Sequence, residues 1–170
     1  MESSIQVGVS GSAVWVRVQG KGNFLNSGSL KEFARQMVDR GYREFVIDLD
    51  HCAMMDSTFM GTMAGVALRL KELGQGHLRV VHCGTRSREL LAGLGLDQLF
   101  QISSNGTSAP QCSSLEKQNK ADSDQRKQEQ ARDMLAAHEA LCEAAPENFV
   151  RFKDVLDYLK QDLHQKATTK

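Results

Sequence analysis

An aspartate followed by a serine and a threonine stands where a predicted strand gives way to a predicted helix. The strand covers residues 44–50, and apolar residues then recur at helical spacing until Gly74 ends the run. Asp56 falls at the N-cap position, where its carboxylate can accept hydrogen bonds from the first free amides. Ser57 and Thr58 occupy the first turn, where unpaired N–H groups and the helix dipole favour negative charge. A hydroxyl group here can therefore carry a phosphate, although Asp, Ser and Thr are also ordinary residues for starting a helix.

The same serine could alternatively act as a catalytic nucleophile, with His51 or His82 as its base. The sequence has no Gly-x-Ser-x-Gly elbow around Ser57, and nothing in it aligns a histidine and a third orienting group with the hydroxyl. We therefore expect a phosphoacceptor rather than a catalytic residue, and we expect that the protein is not an enzyme.

Potential metal ligands stand near the ends of two predicted strands: Asp48, Asp50 and Asp56, His51-Cys52, and His82-Cys83. The three carboxylates could attract Mg²⁺, but solvated acidic residues in a strand-to-helix loop account for them equally well. The two His-Cys pairs could approach zinc-ligand geometry if their strands were neighbours. Adjacent residues rarely both point at one metal, so buried cysteines and exposed histidines are the better expectation. We expect no metal site and no cofactor.

Composition limits the other classes of function. The chain has 170 residues, 21 basic and 21 acidic, so bulk charge gives no indication of nucleic-acid binding. Its four cysteines lie far apart without a CxxC spacing, and the N-terminus lacks the basic and apolar regions of a signal peptide. No apolar run approaches the ~20 residues of a membrane span. We expect a cytoplasmic protein.

Strands and helices alternate along the first hundred residues, in the order β-β-α-β-α-β-α-β. The first two strands, around Ile5–Val9 and Val14–Val18, alternate apolar and polar residues across a Ser-Gly-Ser turn, which is typical of a hairpin. The later elements are predicted at 30–40, 44–50, 57–73, 77–82, 87–94 and 99–102. Because strand–helix–strand crossovers make strands parallel, the pattern predicts an α/β fold whose helices cover one face of the sheet more fully than the other.

Two stretches of the sequence resemble a known family. Ile47-Asp48-Leu49, followed by Met55-Asp56-Ser57-Thr58-Phe59-Met60-Gly61, is similar to the signature of STAS domains, the fold of bacterial anti-sigma factor antagonists. In that family the residue after the aspartate is commonly phosphorylated by a partner kinase, which implies Ser57 as the acceptor and ranks Thr58 second. Phe59 stands where the family often has glycine, which implies a bulkier, more apolar partner-facing surface. The resemblance covers about Ile5 to Ile102 and implies a mixed, mostly parallel sheet with flanking helices.

The resemblance also implies a function. The unphosphorylated form would bind an anti-sigma factor that is also a serine kinase, phosphorylation of Ser57 would break the complex, and a PP2C-type phosphatase would restore it. The residues implied in partner binding are Asp56, Ser57, Thr58, Phe59, Met60 and Asn23. Two alternatives stay open: a STAS scaffold or transport-associated module without a phosphoswitch, and a STAS protein that binds a small molecule or metal.

The remainder of the chain lies beyond the resemblance. Residues 103–114 are polar and predict a flexible linker between the STAS domain at 1–102 and a helical extension at 115–170. The extension predicts a helical hairpin turning at Pro146, whose second helix carries an apolar stripe: Phe149, Phe152, Val155, Leu156, Leu159 and Leu163. A hairpin of this size can hardly bury that stripe alone. Of the available partners for it, we favour a second copy of the chain, which would give a homodimer.

Overall fold

The structure is a computed structural model that describes residues 3–115 and 123–168. Its strands are β1 Ser4–Ser10, β2 Ala13–Gly22, β3 Glu44–Asp48, β4 Cys52–Met55, β5 His77–Val81, β6 Gln101–Ile102 and β7 Ser113–Ser114. Its helices are α1 Phe24–Asp39, α2 Ser57–Glu72, α3 Thr85–Gly93, α4 Ser123–Ala144 and α5 Asn148–Thr168, with a short 3-10 helix at Leu96–Gln98. The predicted order of elements is confirmed through β6, except for β4, which the sequence analysis missed.

The strands form one mixed sheet in the order β6-β5-β3-β2-β1-β7, and β4 pairs with the end of β2. β1 and β2 form the predicted antiparallel hairpin, whereas β2, β3, β5 and β6 run parallel. β3 and β5 are neighbours, with Asp48 opposite Val81. The carboxyl ends of the central strands therefore meet at one edge, and the loop before α2 starts from that edge.

Helix α1 begins earlier than the predicted start at Leu30, because Asn23 caps it. The Asn23 side chain accepts a hydrogen bond from Leu25 N at 3.0 Å, and Asn26 Oδ1 accepts one from Asn23 N at 2.9 Å. This reciprocal arrangement satisfies amides that a helix start otherwise leaves unpaired. We had assigned the glycine- and asparagine-rich stretch to a loop, and its capping residues instead place six more residues in the helix.

The two faces of the sheet are covered differently, as the pattern predicted. The inward side chains of β2, β3 and β5 pack with the helices in one large core that includes Val14, Val16, Phe45, Ile47, Leu78 and Val80. The other face carries a smaller buried cluster of Ala13, Trp15, Val46 and Val81. Because side chains alternate along a strand, neighbouring residues of one strand divide between the two clusters.

Residues 103–112, which we predicted as a flexible linker, lie across this second face. Ala109 and Cys112 pack against its apolar cluster, and a Cβ on Gly106 would come within 2.7 Å of Val81 Cβ. Ser113–Ser114 then forms β7 by pairing with β1. Among the described residues, this segment and not a helix covers the second cluster, and the burial of that apolar cluster is the physical reason that the segment does not extend away from the domain.

Helices α4 and α5 form the predicted hairpin, and it packs on the sheet domain of the same chain. The buried Asn148 side chain fastens its turn by donating to Leu94 O at 2.9 Å and to Leu141 O at 2.8 Å. Phe152, Leu156 and Leu159 of the apolar stripe are buried in this arrangement. Residues 116–122 and 169–170 of the predicted extension, like Met1 and Glu2, lie outside the described residues. Half of the stripe that made us favour a dimer is thus covered within the chain, whereas Phe149 and Val155 are exposed.

In the part of the chain that the structure describes, no helix combines the length and the apolar character that a membrane crossing requires.

Candidate functional site

The loop between β4 and α2 brings two helix N-termini to one carboxylate. Asp56 Oδ1 accepts a hydrogen bond from Phe59 N at 2.8 Å, which confirms the predicted N-cap of α2. Asp56 Oδ2 accepts a second one from Phe24 N, in the first turn of α1, at 2.9 Å. Asp56 N in turn donates to Gly22 O at 2.9 Å, where β4 pairs with β2. The aspartate is therefore held at three points, and it fixes where the next residue begins its helix.

Ser57, the predicted phosphoacceptor, is the first residue of α2 and is half-buried. Thr58, which we ranked second, is only 3% exposed, and it lies on the inner side of the helix. Ser57 is thus the hydroxyl of the pair that a second protein could reach more easily. Its position beside unpaired amides and at the positive end of the helix dipole suits a phosphate.

The Ser57 hydroxyl has a partner that the sequence analysis did not assign. Its Oγ lies 3.0 Å from Nε2 of His138, which belongs to α4. His138 Nδ1 lies 2.7 Å from the carbonyl oxygen of Met134, which can only accept, so Nδ1 carries the hydrogen. In the neutral imidazole Nε2 is then an acceptor, and the Ser57 hydroxyl donates to it. Neither His51 nor His82, the two bases considered from sequence, has a hydrogen bond to this serine.

His138 is held firmly in this position. It is 4% exposed, and its ring meets that of Phe152 edge-on, with centroids 4.9 Å apart and planes at 71°. A serine–histidine pair is one part of a nucleophilic site, but here the second ring nitrogen binds a main-chain carbonyl instead of a carboxylate. The only sequence signal for His138 was a polar residue within the apolar spacing of Met134, Leu135 and Leu141.

Three of the residues implied in partner binding, Thr58, Phe59 and Met60, are buried. Phe59 is fully buried, and a Cβ on Gly22 would come within 2.6 Å of its ring; Met60 is 4% exposed. Our expectation that Phe59 enlarges a partner-facing surface is therefore wrong for this conformation, because the side chain fills the space beneath the glycine. Asn23 is half-buried and serves as the cap of α1 beside the site.

A different set of apolar side chains is exposed around the start of α2: Phe24, Leu25 and Met54. Phe24 and Leu25 open α1 next to the amide that binds Asp56, and Met54 lies in β4 just before Asp56. We call these three residues the apolar patch. Large apolar side chains exposed together commonly mark a protein-binding surface. The sequence signal was the Phe-Leu pair directly after a capping asparagine, in a stretch that we had assigned to a loop.

Two of the residues considered for a metal site, Asp48 and His82, form an ion-pair cluster with Arg17 next to residues 103–112. Asp48, 2% exposed, lies 2.9 Å from His82 Nδ1 through Oδ1 and 3.5 Å from Arg17 Nε through Oδ2. His82 Nε2 lies 3.3 Å from Gly106 O, so both ring nitrogens face acceptors. The hydrogen bond to Asp48 is the main cause that raises the pKa of His82. Within residues 3–115 and 123–168 no three His, Cys, Asp or Glu side chains are placed to hold a metal ion.

Comparison with known families agrees with this geometry. The STAS domain profile matches residues 4–109, well over half of the chain, and the chain therefore belongs to the STAS domain family. The match extends seven residues beyond the predicted boundary at 102 and includes most of the segment on the second face. STAS domains are generally non-enzymatic regulators. Helices α4 and α5 lie outside the match.

Solved structures show the same fold. A candidate anti-sigma factor antagonist from Thermotoga maritima is 17% identical, with a TM-score of 0.54, and the match covers 58% of this chain and 85% of that one. The anti-sigma factor antagonist SpoIIAA in its unphosphorylated form is 14% identical, with a TM-score of 0.52 and coverage of 61% and 90%. The phosphorylated form of SpoIIAA from Bacillus is 15% identical, with a TM-score of 0.50 and coverage of 58% and 90%. No curated protein sequence matches the chain.

Proposed function

We infer that this protein is an anti-sigma factor antagonist that binds an anti-sigma factor through the start of α2 and loses that binding when Ser57 is phosphorylated. The observation that carries the proposal is a half-buried hydroxyl at the positive end of a helix, beside the exposed apolar patch. A protein-binding surface with a hydroxyl at its edge that can be phosphorylated has what is needed for phosphorylation to switch partner binding off.

The switch follows from charge. A phosphate adds roughly 1.5 to 2 negative charges at neutral pH, directly beside the Asp56 carboxylate and next to the apolar patch. A partner that covers the patch would have to remove water from that charge, and desolvating an unpaired charge is costly. The first-turn amides of α2 stabilise the phosphate on the protein itself. The phosphorylated chain therefore stays folded while its affinity for the partner falls.

The proposal assigns partners and a location. The anti-sigma factor would act as the serine kinase, a PP2C-type phosphatase would remove the phosphate, and the exchange would take place in the cytoplasm. Because Thr58, Phe59 and Met60 are buried, direct contact with the partner is assigned to Ser57 and the apolar patch, with Asn23 at its border. The three buried residues lie beneath this surface and support its shape.

The test is binding and phosphorylation with purified anti-sigma kinases encoded in the source genome. Wild type and Ser57→Ala should bind one of them, and Ser57→Asp should bind at least about tenfold more weakly, the equivalent of ~1.4 kcal/mol. Ser10→Asp, at the exposed end of β1, adds the same charge as a control and should bind like wild type. With ATP, tandem mass spectrometry should find the phosphate on Ser57. Equal affinity of wild type and Ser57→Asp, or phosphate only on Thr58, would contradict the proposal.

A further inference from the structure

Helix α4 lies on α2 at the very place where a partner would have to bind. His138 of α4 is hydrogen-bonded to the Ser57 hydroxyl, and Ala137 of α4 contacts Gly61 one turn further along α2. A Cβ on Gly61 would overlap the carbonyl oxygen and carbonyl carbon of Ala137, so the two backbones are in direct contact. Only a glycine in α2 allows a helix to approach this closely. The face of α2 from Ser57 to Gly65 is therefore shaped to accept a helix, and we call it the helix-accepting face.

The contact between α4 and the rest of the chain has a strong part and a weak part. Leu141 is fully buried in the main core, and the other buried residues of α4 are His138 and three alanines, Ala131, Ala137 and Ala140. The alanine side chains remove little apolar area from water compared with leucine or phenylalanine. A cavity of about 430 Å³ also remains between α1, α2 and α4, so the packing along this contact is incomplete. One ion pair, Lys31 with Asp133 at 3.4 Å, joins α1 to α4 at its border, where such pairs contribute little.

The attachment at the other end of the hairpin is of a different kind. Asn148 donates to the main-chain carbonyls of Leu94, in the STAS domain, and Leu141, in α4, and Arg151 Nη1 donates to Gly93 O at 2.9 Å. The hairpin can thus stay tethered near α3 while α4 leaves α2. The segment that precedes α4 is connected through residues outside the described part of the chain.

We propose that the α4–α5 hairpin is a built-in competitor for the helix-accepting face: α4 covers Ser57, and the anti-sigma partner reaches it by displacing α4. This rests on the proposed function and extends it to the kind of partner element involved. The face fits a helix that carries a small residue where it crosses Gly61 and a hydrogen-bond acceptor opposite Ser57, as α4 does with Ala137 and His138. The partner then binds the full chain more weakly than it binds a chain in which α4 is undocked, because only the fraction of molecules in which α4 has left α2 can bind it.

The first experiment measures, in the absence of any partner, how strongly α4 shields position 57 from a reagent in solution. Ser57→Cys is introduced into the full chain, and the rate of alkylation by iodoacetamide is read by peptide mass spectrometry, in which fragment ions separate position 57 from Cys52. Adding Gly61→Ala should raise this rate about tenfold, because the new methyl group meets the Ala137 backbone and shifts the docking equilibrium towards the open form. Alanine also favours the helix itself, so α2 is not weakened. Rates at several pH values separate exposure from a change in thiolate fraction.

Gly65→Ala is the matched control. The same substitution one turn later places its Cβ at an ordinary 3.8 Å from Ala140 Cβ, and its labelling rate should stay within about twofold of the parent. A second pair acts from the other helix and leaves the STAS domain unchanged. Ala137→Leu, at the buried contact, should open the face as Gly61→Ala does, whereas Glu139→Leu, at an exposed position of α4, should not. Equal labelling at position 57 in all of these chains would overturn the proposal.

The second experiment measures competition, using the anti-sigma kinase identified by the binding test and chains that retain Ser57. Ala137→Leu should bind it about tenfold more tightly than Glu139→Leu, in line with the shift in docking, because both changes lie on α4 and leave the helix-accepting face itself unaltered. Faster labelling without tighter binding would overturn the claim that α4 and the partner share one face. Faster labelling in a protein that binds no anti-sigma factor would instead refute the proposed function and leave α4 as the cover of Ser57.

Discussion

Asp56 Oδ2 lies 2.9 Å from the main-chain nitrogen of Phe24, so the residue that caps α2 also accepts a hydrogen bond from the first turn of α1. The two residues are 32 positions apart, yet one carboxylate serves both helix starts. This shared cap holds the main chain of Phe24, the first residue of α1 and part of the apolar patch, against the residue that precedes Ser57.

Replacing Asp56 should therefore cost more than the loss of an ordinary cap. Asp56→Ala leaves amides of two helices unpaired, and at about 1 kcal/mol for each cap we expect a loss of roughly 2 kcal/mol in the free energy of unfolding. Urea unfolding measures it. Asp50→Ala, an exposed acidic residue of the loop between β3 and β4, is the control and should change stability by less than ~0.5 kcal/mol. A loss no larger than that of the control would show that the double cap contributes nothing.

The segment on the second face can be tested through Trp15, the single tryptophan of the chain. Trp15 is buried in the cluster that residues 103–112 cover. Gly106→Ala places a Cβ 2.7 Å from Val81 Cβ, so we expect the segment to lift and the emission of Trp15 to move to longer wavelength. Gly84→Ala, where the new methyl group meets nothing within 4 Å, is the control. Unchanged emission in Gly106→Ala would mean that the segment adapts without leaving the face.

The pairing of His82 with Asp48 predicts a specific pH dependence. The hydrogen bond with Asp48, aided by the nearby charge of Asp50, raises the pKa of His82 above its ordinary 6.5, against the opposing effect of burial. A histidine whose pKa is higher in the folded state contributes stability that is fully present below 6.5 and is lost as the pH rises through the folded pKa. The free energy of unfolding should therefore fall as the pH rises from 6.5 towards alkaline values.

Urea unfolding across this range checks the prediction in wild type and His82→Asn. Asparagine suits the variant because His82 has φ of 53°, a left-handed conformation that asparagine tolerates better than most residues. The decline should be smaller in His82→Asn and unchanged in the control His51→Asn, whose side chain is exposed. A decline of the same size in all three proteins would assign it to other groups.

The docked hairpin also bears on the oligomeric state. With Phe152, Leu156 and Leu159 buried within one chain, the reason for a dimer through this stripe is largely removed, and we now expect a monomer. Light scattering on the full-length protein over a range of concentrations measures this. A stable dimer would show that exposed residues of α5, such as Phe149 and Tyr158, are covered by a second copy.

The sequence by itself determined the features that depend on neighbouring residues. The N-cap at Asp56, the helix that starts at Ser57 and the alternating side chains of the β1–β2 hairpin all follow from capping and periodicity, which act over a few positions. The STAS signature lies in the same local stretch, and so the family could be predicted. The early start of α1 also had a local signal, in the Asn23 cap, but glycines in the same stretch obscured it.

Only the tertiary structure decided what surrounds that serine. His138 lies 81 positions away, and it reaches Ser57 because Gly61 and Ala137 let two helices touch at one crossing point. The burial of Phe59 and the exposure of Phe24 likewise depend on which elements pack above them. Helical periodicity shows that a face is apolar, but it does not specify which other face meets it or at what register. That choice is made by the packing of the whole chain, and here it placed a helix from outside the matched STAS domain over Ser57.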